Sequence, residues 1–362
     1  KESSAASDVY KRQVDGISAT SLLIRYFKHI KQNFFYYIPE REKDGYGATT
    51  KLFQKLISKK PKLVIMVDCG STSNKAIDYL NQNNIKSIII DHHEMNRPYP
   101  KSNVIINPKK KTDYSEYDYL CSTTLTYFFI DMVILKMKSK FNLSDFLIYV
   151  LLATVCDVMP LRKLNKILTS NVLRNFKLEN NLAFKTIFDE LSLKKKLTVE
   201  DLGFLIGPII NSGGRLGYSN YGTELLTSNN KDTLQKKTSE LINLNNKRKK
   251  LEKNILNEIN FTKISRKNKN VIIYHDNNMH EGLIGIIAAR LKEYFNKPSI
   301  VLTKSNNLLK ASARSTKNYN IGKIIKLLID KNIIENGGGH NMAAGFEVKN
   351  KNVELVDAFS YT

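Results

Sequence analysis

The chain has 362 residues, 42% hydrophobic and 25% charged, which is enough apolar material for two folded domains and excludes a wholly disordered chain. Its 57 lysines and arginines against 34 acids leave a formal charge of +23, a field that draws polyanions and makes nucleic acid the expected partner, although an AT-rich genome also produces Lys, Asn and Ile in this abundance. Cys69, Cys121 and Cys156 form no C-x-x-C pair, against a disulfide framework or a zinc site, and the longest apolar run, Phe146 to Val155, is about half a bilayer span. A soluble cytoplasmic monomer is expected, with no membrane partner.

Residues 1 to 13, KESSAASDVYKRQ, lack the continuous apolar character of a central parallel strand and look like translated adapter sequence, so they are expected to be non-native or disordered. Leu63 to Val67 and Ile85 to Ile90 are short apolar runs that read as buried parallel strands. The first ends in Asp68-Cys-Gly-Ser and the second in Asp91-His92-His93. Between them Ser73 to Asn81 has helical spacing, with Ala76, Ile77 and Leu80 on one face. This is a βαβ unit carrying its polar residues at the carboxyl ends of its strands, where open α/β sheets bind ligands. Thr124 to Met137 and Leu143 to Val155 read as packed helices, the second delivering Asp157.

From 231 to 261 the spacing of Leu234, Leu241, Leu244, Leu251 and Ile255 predicts one long helix, with too few heptads for a coiled coil and the character of a connector. Val271 to His275, the helical GLIGIIAARLKEYF and Ser299 to Thr303 open a second α/β unit, which closes with Gly337 to Gly339, His340 and Ala343 to Gly345.

Asp68, Asp91, His92, His93 and Asp157 are the candidate reactive set. Carboxylates with one or two imidazoles suit Mn2+ or Mg2+ better than zinc, and phosphodiester hydrolysis is the natural chemistry of such a group. Arg41, Arg215 and Arg314 are scarce arginines in a lysine-rich chain and suit, with Ser312, a pocket for a terminal phosphate; surface ion pairs are the plainer alternative. Gly338 and Gly339, within the glycine run, offer a backbone nest for phosphate with His340 beside it, or simply a turn. His280 stands at an expected helix start, where capping or packing explains it equally well, and Asn211 lies in the GPIINSGG turn as a turn former or a site residue.

Nine strings now fall in a familiar order: VDGISATSLL, IPEREKDGYG, VDCGSTS, IIDHHEMN, ATVCDVMPL, GPIINSGGRLG, HEGLIGIIAARL, ASARS and GGGHNMAAGF. Together they resemble the motifs of the RecJ branch of the DHH phosphoesterase superfamily, over nearly the whole chain. The resemblance implies an α/β, two-domain protein: a parallel-sheet DHH domain over 14–229, a connecting helix over 230–265 and a smaller α/β DHHA1 domain over 266–362. It implies 5′ to 3′ degradation of single-stranded DNA in repair and recombination, with Mn2+ or Mg2+, and repair proteins such as a helicase or a single-strand-binding protein as partners. By the same resemblance Asp15, Asp68, His92 and Asp157 would hold a metal, Asp68 bridging to a second, and His93 would face the scissile phosphate beside Asp68 and Asp91.

Two departures qualify it. The family's D-x-D-x-D-G stretch is Lys11-Arg12-Gln13-Val14-Asp15-Gly16 here, so one of the two metal sites is expected to be lost. No OB-fold follows the last motif before Thr362, which would lower affinity for single strands. The alternatives are a catalytically impaired nucleic-acid-binding scaffold and a nanoRNase-like phosphodiesterase of short oligonucleotides.

Overall fold

The computed structural model describes residues 13–40, 44, 47–111, 115–267 and 270–359. Lys11, Arg41 and the side chains of Gln13 and His340 fall outside that description, as does the expected non-native segment up to residue 12. Two compact units divide the chain between residues 245 and 246, inside the long helix.

The first unit is organised by a three-stranded parallel sheet, β1 (Leu63–Val67), β2 (Lys86–Ile90) and β3 (Val104–Ile106), in that order. Val67 is in register with Ile90, and Ile90 with Ile106. Both faces are covered, which is why the strands read as unbroken apolar runs. On one face Ala76, Ile77 and Leu80 of α2 (Asn74–Gln82) pack on Met66 and Ile89. On the other, Ile90 packs with Leu125 and Phe129 of α3 (Ser122–Met137). The chain enters through α1 (Gln13–His29), whose Val14, Ile17 and Leu22 join the main core. That core centres on α4 (Leu147–Cys156), a helix apolar all round and therefore buried all round.

The end of α4 is strained. Asp157 caps the helix and Val158 follows in the left-handed region at φ 54°. The Val158 N–H bonds Val155 O at 3.2 Å and the Met159 N–H bonds Thr154 O at 3.0 Å, the helix-terminating pattern that ordinarily carries glycine. A β-branched residue there costs about 1 kcal/mol or more. Val158→Gly is therefore expected to raise stability by about 1 kcal/mol, read as a thermal-melting shift of roughly 2–4 °C; an unchanged or lower melting point would mean the turn is not strained.

The second unit contains the later part of α6 (Lys231–Glu258) and a mixed five-stranded sheet. Its order is β4 (Ile272–His275), β5 (Ser299–Ser305), β6 (Leu308–Arg314), β8 (Ala343–Val348), β7 (Asn336–His340), parallel only between β4 and β5. Ile284, Ile287 and Leu291 of α7 (Ile284–Phe295) pack with Ile272 and Val301, while Ile321, Ile325 and Leu328 of α8 (Ile321–Asp330) pack with Ile300, Leu302 and Phe346.

Four local readings of the sequence are corrected. GPIINSGG is not a turn but most of α5 (Gly207–Arg215), since Pro208 in the first helical turn has its φ preset for a helix. Gly337 to Gly339 form no nest: they lie in β7, extended and paired with β8, and a Cβ at Gly337 would meet Phe346 Cβ at 2.7 Å. Close packing, not a left-handed turn, requires that glycine. The long helix ends at Glu258, because the Asn260 side chain accepts the Lys263 N–H at 2.9 Å and starts a new helix, Phe261–Lys267. The helix expected to begin at His280 starts at Ile284; His280 Nδ1 accepts the Gly282 N–H at 3.0 Å in the preceding turn.

Candidate metal centre

The register of the first sheet places Asp68, Asp91 and Asn107 one residue beyond the ends of three adjacent strands. The backbone ladder extends to the first two, Asp68 N–H to Ile90 O and Asp91 N–H to Ile106 O, each 3.0 Å. Asp68 leaves β1 with φ 58°, a left-handed conformation uncommon outside glycine, of the kind that clusters at functional sites.

Asp15 reaches the same point from α1. It is fully buried and accepts from Ser122 N at 2.8 Å, Thr123 N at 2.7 Å and Thr123 Oγ1 at 2.6 Å, so its charge sits on the N-terminus of α3, where a carboxylate is favoured. Asp157 arrives from the end of α4. His92 Nε2 faces all three carboxylates: 3.3 Å from Asp157 Oδ2, 3.5 Å from Asp68 Oδ1 and 3.7 Å from Asp15 Oδ2. His92 is 5% exposed, and neither ring nitrogen has a hydrogen-bond partner among the described residues.

A buried imidazole set against three carboxylates without a hydrogen bond to any of them has the chemistry of a metal ligand. Ligands about 2.1 Å from a small divalent ion stand roughly 3.0–3.4 Å apart, close to the observed separations. Asp15, His92 and Asp157 offer donor atoms within 4.8 Å of one another, and so do Asp68, His92 and His93. These are two overlapping groups sharing His92, and the residues fit a divalent cation.

Asp91 is committed elsewhere. Its Oδ1 accepts from His93 Nδ1 at 2.6 Å and from the His92 N–H at 2.8 Å, and its Oδ2 accepts the Ser71 N–H at 3.1 Å. Burial pushes the Asp91 carboxyl up, but the hydrogen bond and charge of His93, then the hydrogen bond of the Ser71 side chain, overcome it and hold the group below the usual carboxylate range. For His93, burial favours the neutral ring, and the Asp91 hydrogen bond with the charges of Asp68 and Asp91 reverses this and raises it. Asp68 is pushed well above its ordinary value, first by burial and then by the charge of Asp15, with His93 opposing. In the metal-free protein, then, the Asp68 carboxyl is biased toward its protonated form.

Sequence reasoning missed Asn107, Ser71, Ser122 and Thr123. Asn107, 8% exposed, donates through Nδ2 to Ser71 Oγ at 2.8 Å and to His93 O at 2.9 Å, and its Oδ1 accepts the Lys109 N–H at 2.8 Å. The available signal was its place after the apolar triplet Val104 to Ile106, matching the placement of Asp68 and Asp91.

The remaining expected site residues form separate groups. Asn211 and Arg215 lie one turn apart on α5, both buried. In the second unit Arg314 Nη1 donates to Ser312 Oγ at 3.1 Å, and a Cβ at Gly285, in the first turn of α7, would stand 3.2 Å from Ser312 Oγ and 2.8 Å from Arg314 Nη2. Ser312 is in register with Gly345 and Gly345 with Gly338, so the three share one row. Gly339 occupies the next row with Ala344 and Ala313. Nothing lies within 4 Å of a Cβ built at Gly338, leaving the edge of the Ser312 row open.

With this geometry in hand, comparison with known proteins gives a consistent result. The chain matches the DHH family, N-terminal domain, over residues 9–154 and the DHHA1 domain over residues 268–360. It is 27% identical over 354 residues to the single-stranded-DNA-specific exonuclease RecJ of Haemophilus influenzae, covering 92% of this chain and 62% of that protein. To the protein of the same description from Salmonella typhimurium it is 28% identical over 362 residues, covering 94% and 63%. The chain thus spans about three fifths of the length of the curated relatives it matches. The crystal structure of RecJ from Thermus thermophilus in complex with Mn2+ aligns at a TM-score of 0.81 and 21% identity, covering 96% of this chain and 50% of that one, a likeness of fold. The chain carries a DHH N-terminal domain over residues 9–154 followed by a DHHA1 domain over residues 268–360, and the RecJ exonucleases are its homologues.

Proposed function

We propose that the protein is a metal-dependent exonuclease that hydrolyses single-stranded DNA from its 5′ end. The observation that carries this reading is the buried His92 imidazole facing Asp15, Asp68 and Asp157 within 3.7 Å. Mn2+ or Mg2+ held by these four residues would supply charge stabilisation at a phosphodiester and lower the pKa of a nucleophilic water. The rest is the work of the chain. Asp91 fixes the ring of His93 through Nδ1 and directs Nε2 toward a phosphate oxygen. The left-handed turn at Asp68 aims its carboxylate between the two histidines.

The substrate rests on the relatives, described as specific for single-stranded DNA, and on the charge of +23, while the direction rests on the resemblance of the motifs alone. Arg314 and Ser312 are assigned to the terminal phosphate; Arg215, Asn211, His280, Gly338 and Gly339 to the strand. Arg41 and His340 carry the same assignment from sequence alone. No described helix is long and apolar enough to cross a membrane, and the cytoplasm, with its repair proteins, is the proposed setting.

The test is cleavage of a 5′-phosphorylated, 3′-labelled single strand of about 30 nucleotides with Mn2+, several times the site size of a single-strand-binding domain. Progressive shortening from the 5′ end that stops with EDTA is expected. Binding without cleavage would instead make the protein a scaffold, and hydrolysis of dinucleotides alone a nanoRNase-like enzyme.

Asn107→Asp provides a finer check. The substitution keeps the shape and the acceptor for the Lys109 N–H but removes the donors to Ser71 Oγ and His93 O. Partners of this kind behind a reactive histidine are worth about 10–100-fold. A fall of that size in kcat with KM and Mn2+ affinity retained is expected; a proportional loss of folded protein with normal kcat would make Asn107 structural only.

A further inference from the structure

We infer that the exposed face of the long helix α6, within the second unit, is a docking track for the sugar-phosphate backbone of single-stranded nucleic acid; the inference rests on the single-strand reading above and extends it to a surface remote in sequence from every motif. Over residues 246–257 the helix has two unlike sides. Leu251, Ile255 and Leu256 pack into the core of the unit. The solvent side presents Lys247, Lys249, Lys250 and Lys253, with Asn246 and Asn254 beside them, all exposed.

The only acid in the stretch, Glu252, is buried and already engaged, at 3.0 Å from Arg248 Nη1 and 2.9 Å from Arg290 Nε. Among the described residues none of the four lysines has an ion-pair partner. Lys247 and Lys250, and Lys250 and Lys253, are three apart, while Lys249 and Lys253 are four apart. These spacings bring like charges side by side on a helix and weaken it. Elsewhere in the protein the same spacing is used for attraction, as in Lys185–Asp189 at 2.7 Å and Lys237–Glu240 at 3.2 Å.

A row of unpaired cations that repel one another is relieved by a polyanion. The face also holds no aromatic ring on which a base could stack, so its contacts are to phosphates and carry no sequence preference. Asparagine amides beside the lysines add neutral donors for phosphate and sugar oxygens.

The experiment compares the full chain with K247Q/K249Q/K250Q/K253Q, glutamine being close to lysine in helix propensity. A control variant carries glutamine at four exposed lysines on other surfaces of the same unit, Lys323, Lys326, Lys331 and Lys351. Binding to a single strand of about 40 nucleotides and to a duplex of equal length is measured without divalent metal as a function of salt. Losing four phosphate contacts should lower the slope of log K against log salt by about 3 for the single strand. A reduced slope on the single strand assigns the track; a reduction on the duplex alone would overturn the inference in favour of a duplex-binding face. Unchanged slopes on both, or an equal reduction in the control variant, would overturn the inference, the latter leaving only the general field of the protein. Cleavage of a 5′-phosphorylated trimer, too short to engage the whole row of lysines, should equal wild type. If the wild type cleaves neither the trimer nor the strand of about 30 nucleotides, the exonuclease reading is what fails, and the salt slopes still decide the track.

Discussion

Asp68→Asn is expected to raise the melting temperature of the metal-free protein while abolishing both its stabilisation by Mn2+ and its cleavage of DNA. The sign follows from the cluster. Burial and the negative charges of Asp15 and Asp157 push the Asp68 carboxyl well above its ordinary value, against His93. An acid whose folded pKa exceeds its unfolded value, about 3.9, binds its proton more tightly when folded. Its contribution to stability is then present at low pH and is lost as pH rises from the ordinary carboxylate range through the raised folded value. Metal-free wild type should lose stability across that window. The asparagine variant, which still accepts the Ser122 hydroxyl now 3.2 Å from Asp68 Oδ1, should not. Above the window the variant should be more stable by about 1–2 kcal/mol, or roughly 2–8 °C in melting temperature.

Mn2+ reverses the order. At about 100 times its dissociation constant the ion should stabilise wild type by about 2.7 kcal/mol and the variant by far less. Loss of several kcal/mol of transition-state charge stabilisation corresponds to a rate fall of about three orders of magnitude. A variant that melts below wild type without metal, yet keeps the full Mn2+-induced shift, would remove Asp68 from the metal centre.

Much of this site was legible because buried parallel strands announce themselves as unbroken apolar runs and end where the chain turns polar. Asp68 and Asp91-His92-His93 were therefore found, and the neighbouring placement of the two strands, which brings Asp68 Oδ1 within 3.5 Å of His92 Nε2, followed from the short helical segment between them. Asn107 was not found, because its strand has three residues, too few to stand out from a chance run of Val and Ile. Asp15 was placed by resemblance alone: nothing in its neighbours says that Ser122 and Thr123, more than a hundred residues later, supply the N–H groups that hold it.

The glycines were misread for a different reason. Sequence marks where a side chain is forbidden without saying whether torsion or crowding forbids it. At Gly337 the answer is Phe346 on the paired strand. The glycine of a buried helix, such as Gly213, is harder still to place from sequence, because a Cβ there would meet Tyr218 O at 2.6 Å across a chain reversal that the local pattern does not reveal.

Replacing Lys11 and Gln13 together with aspartate is expected to raise Mn2+ stoichiometry from one ion to two and to increase cleavage of single-stranded DNA by at least about 100-fold. The two positions lie four and two residues before Asp15, where the family's D-x-D-x-D-G pattern has acids. Asp15 alone cannot stand in for them: it is a single carboxylate, and its Oδ2, the atom nearest His92, already belongs to the first group. In the present chain the second group, Asp68, His92 and His93, has one carboxylate among the described residues and shares its His92 with the first, so added acids are expected to supply the negative charge that a second dication needs. Supplying carboxylates addresses that deficit, and the change at position 11 also replaces a positive charge where the pattern has an acid. Lys11→Gln alone separates the two effects. It should tighten the first ion without adding a second, and cleavage should rise only slightly. If the double variant still binds one ion and cleaves no faster, the limitation lies in the segment that precedes α1 rather than in its missing acids, and substitution at these two positions cannot restore the second site.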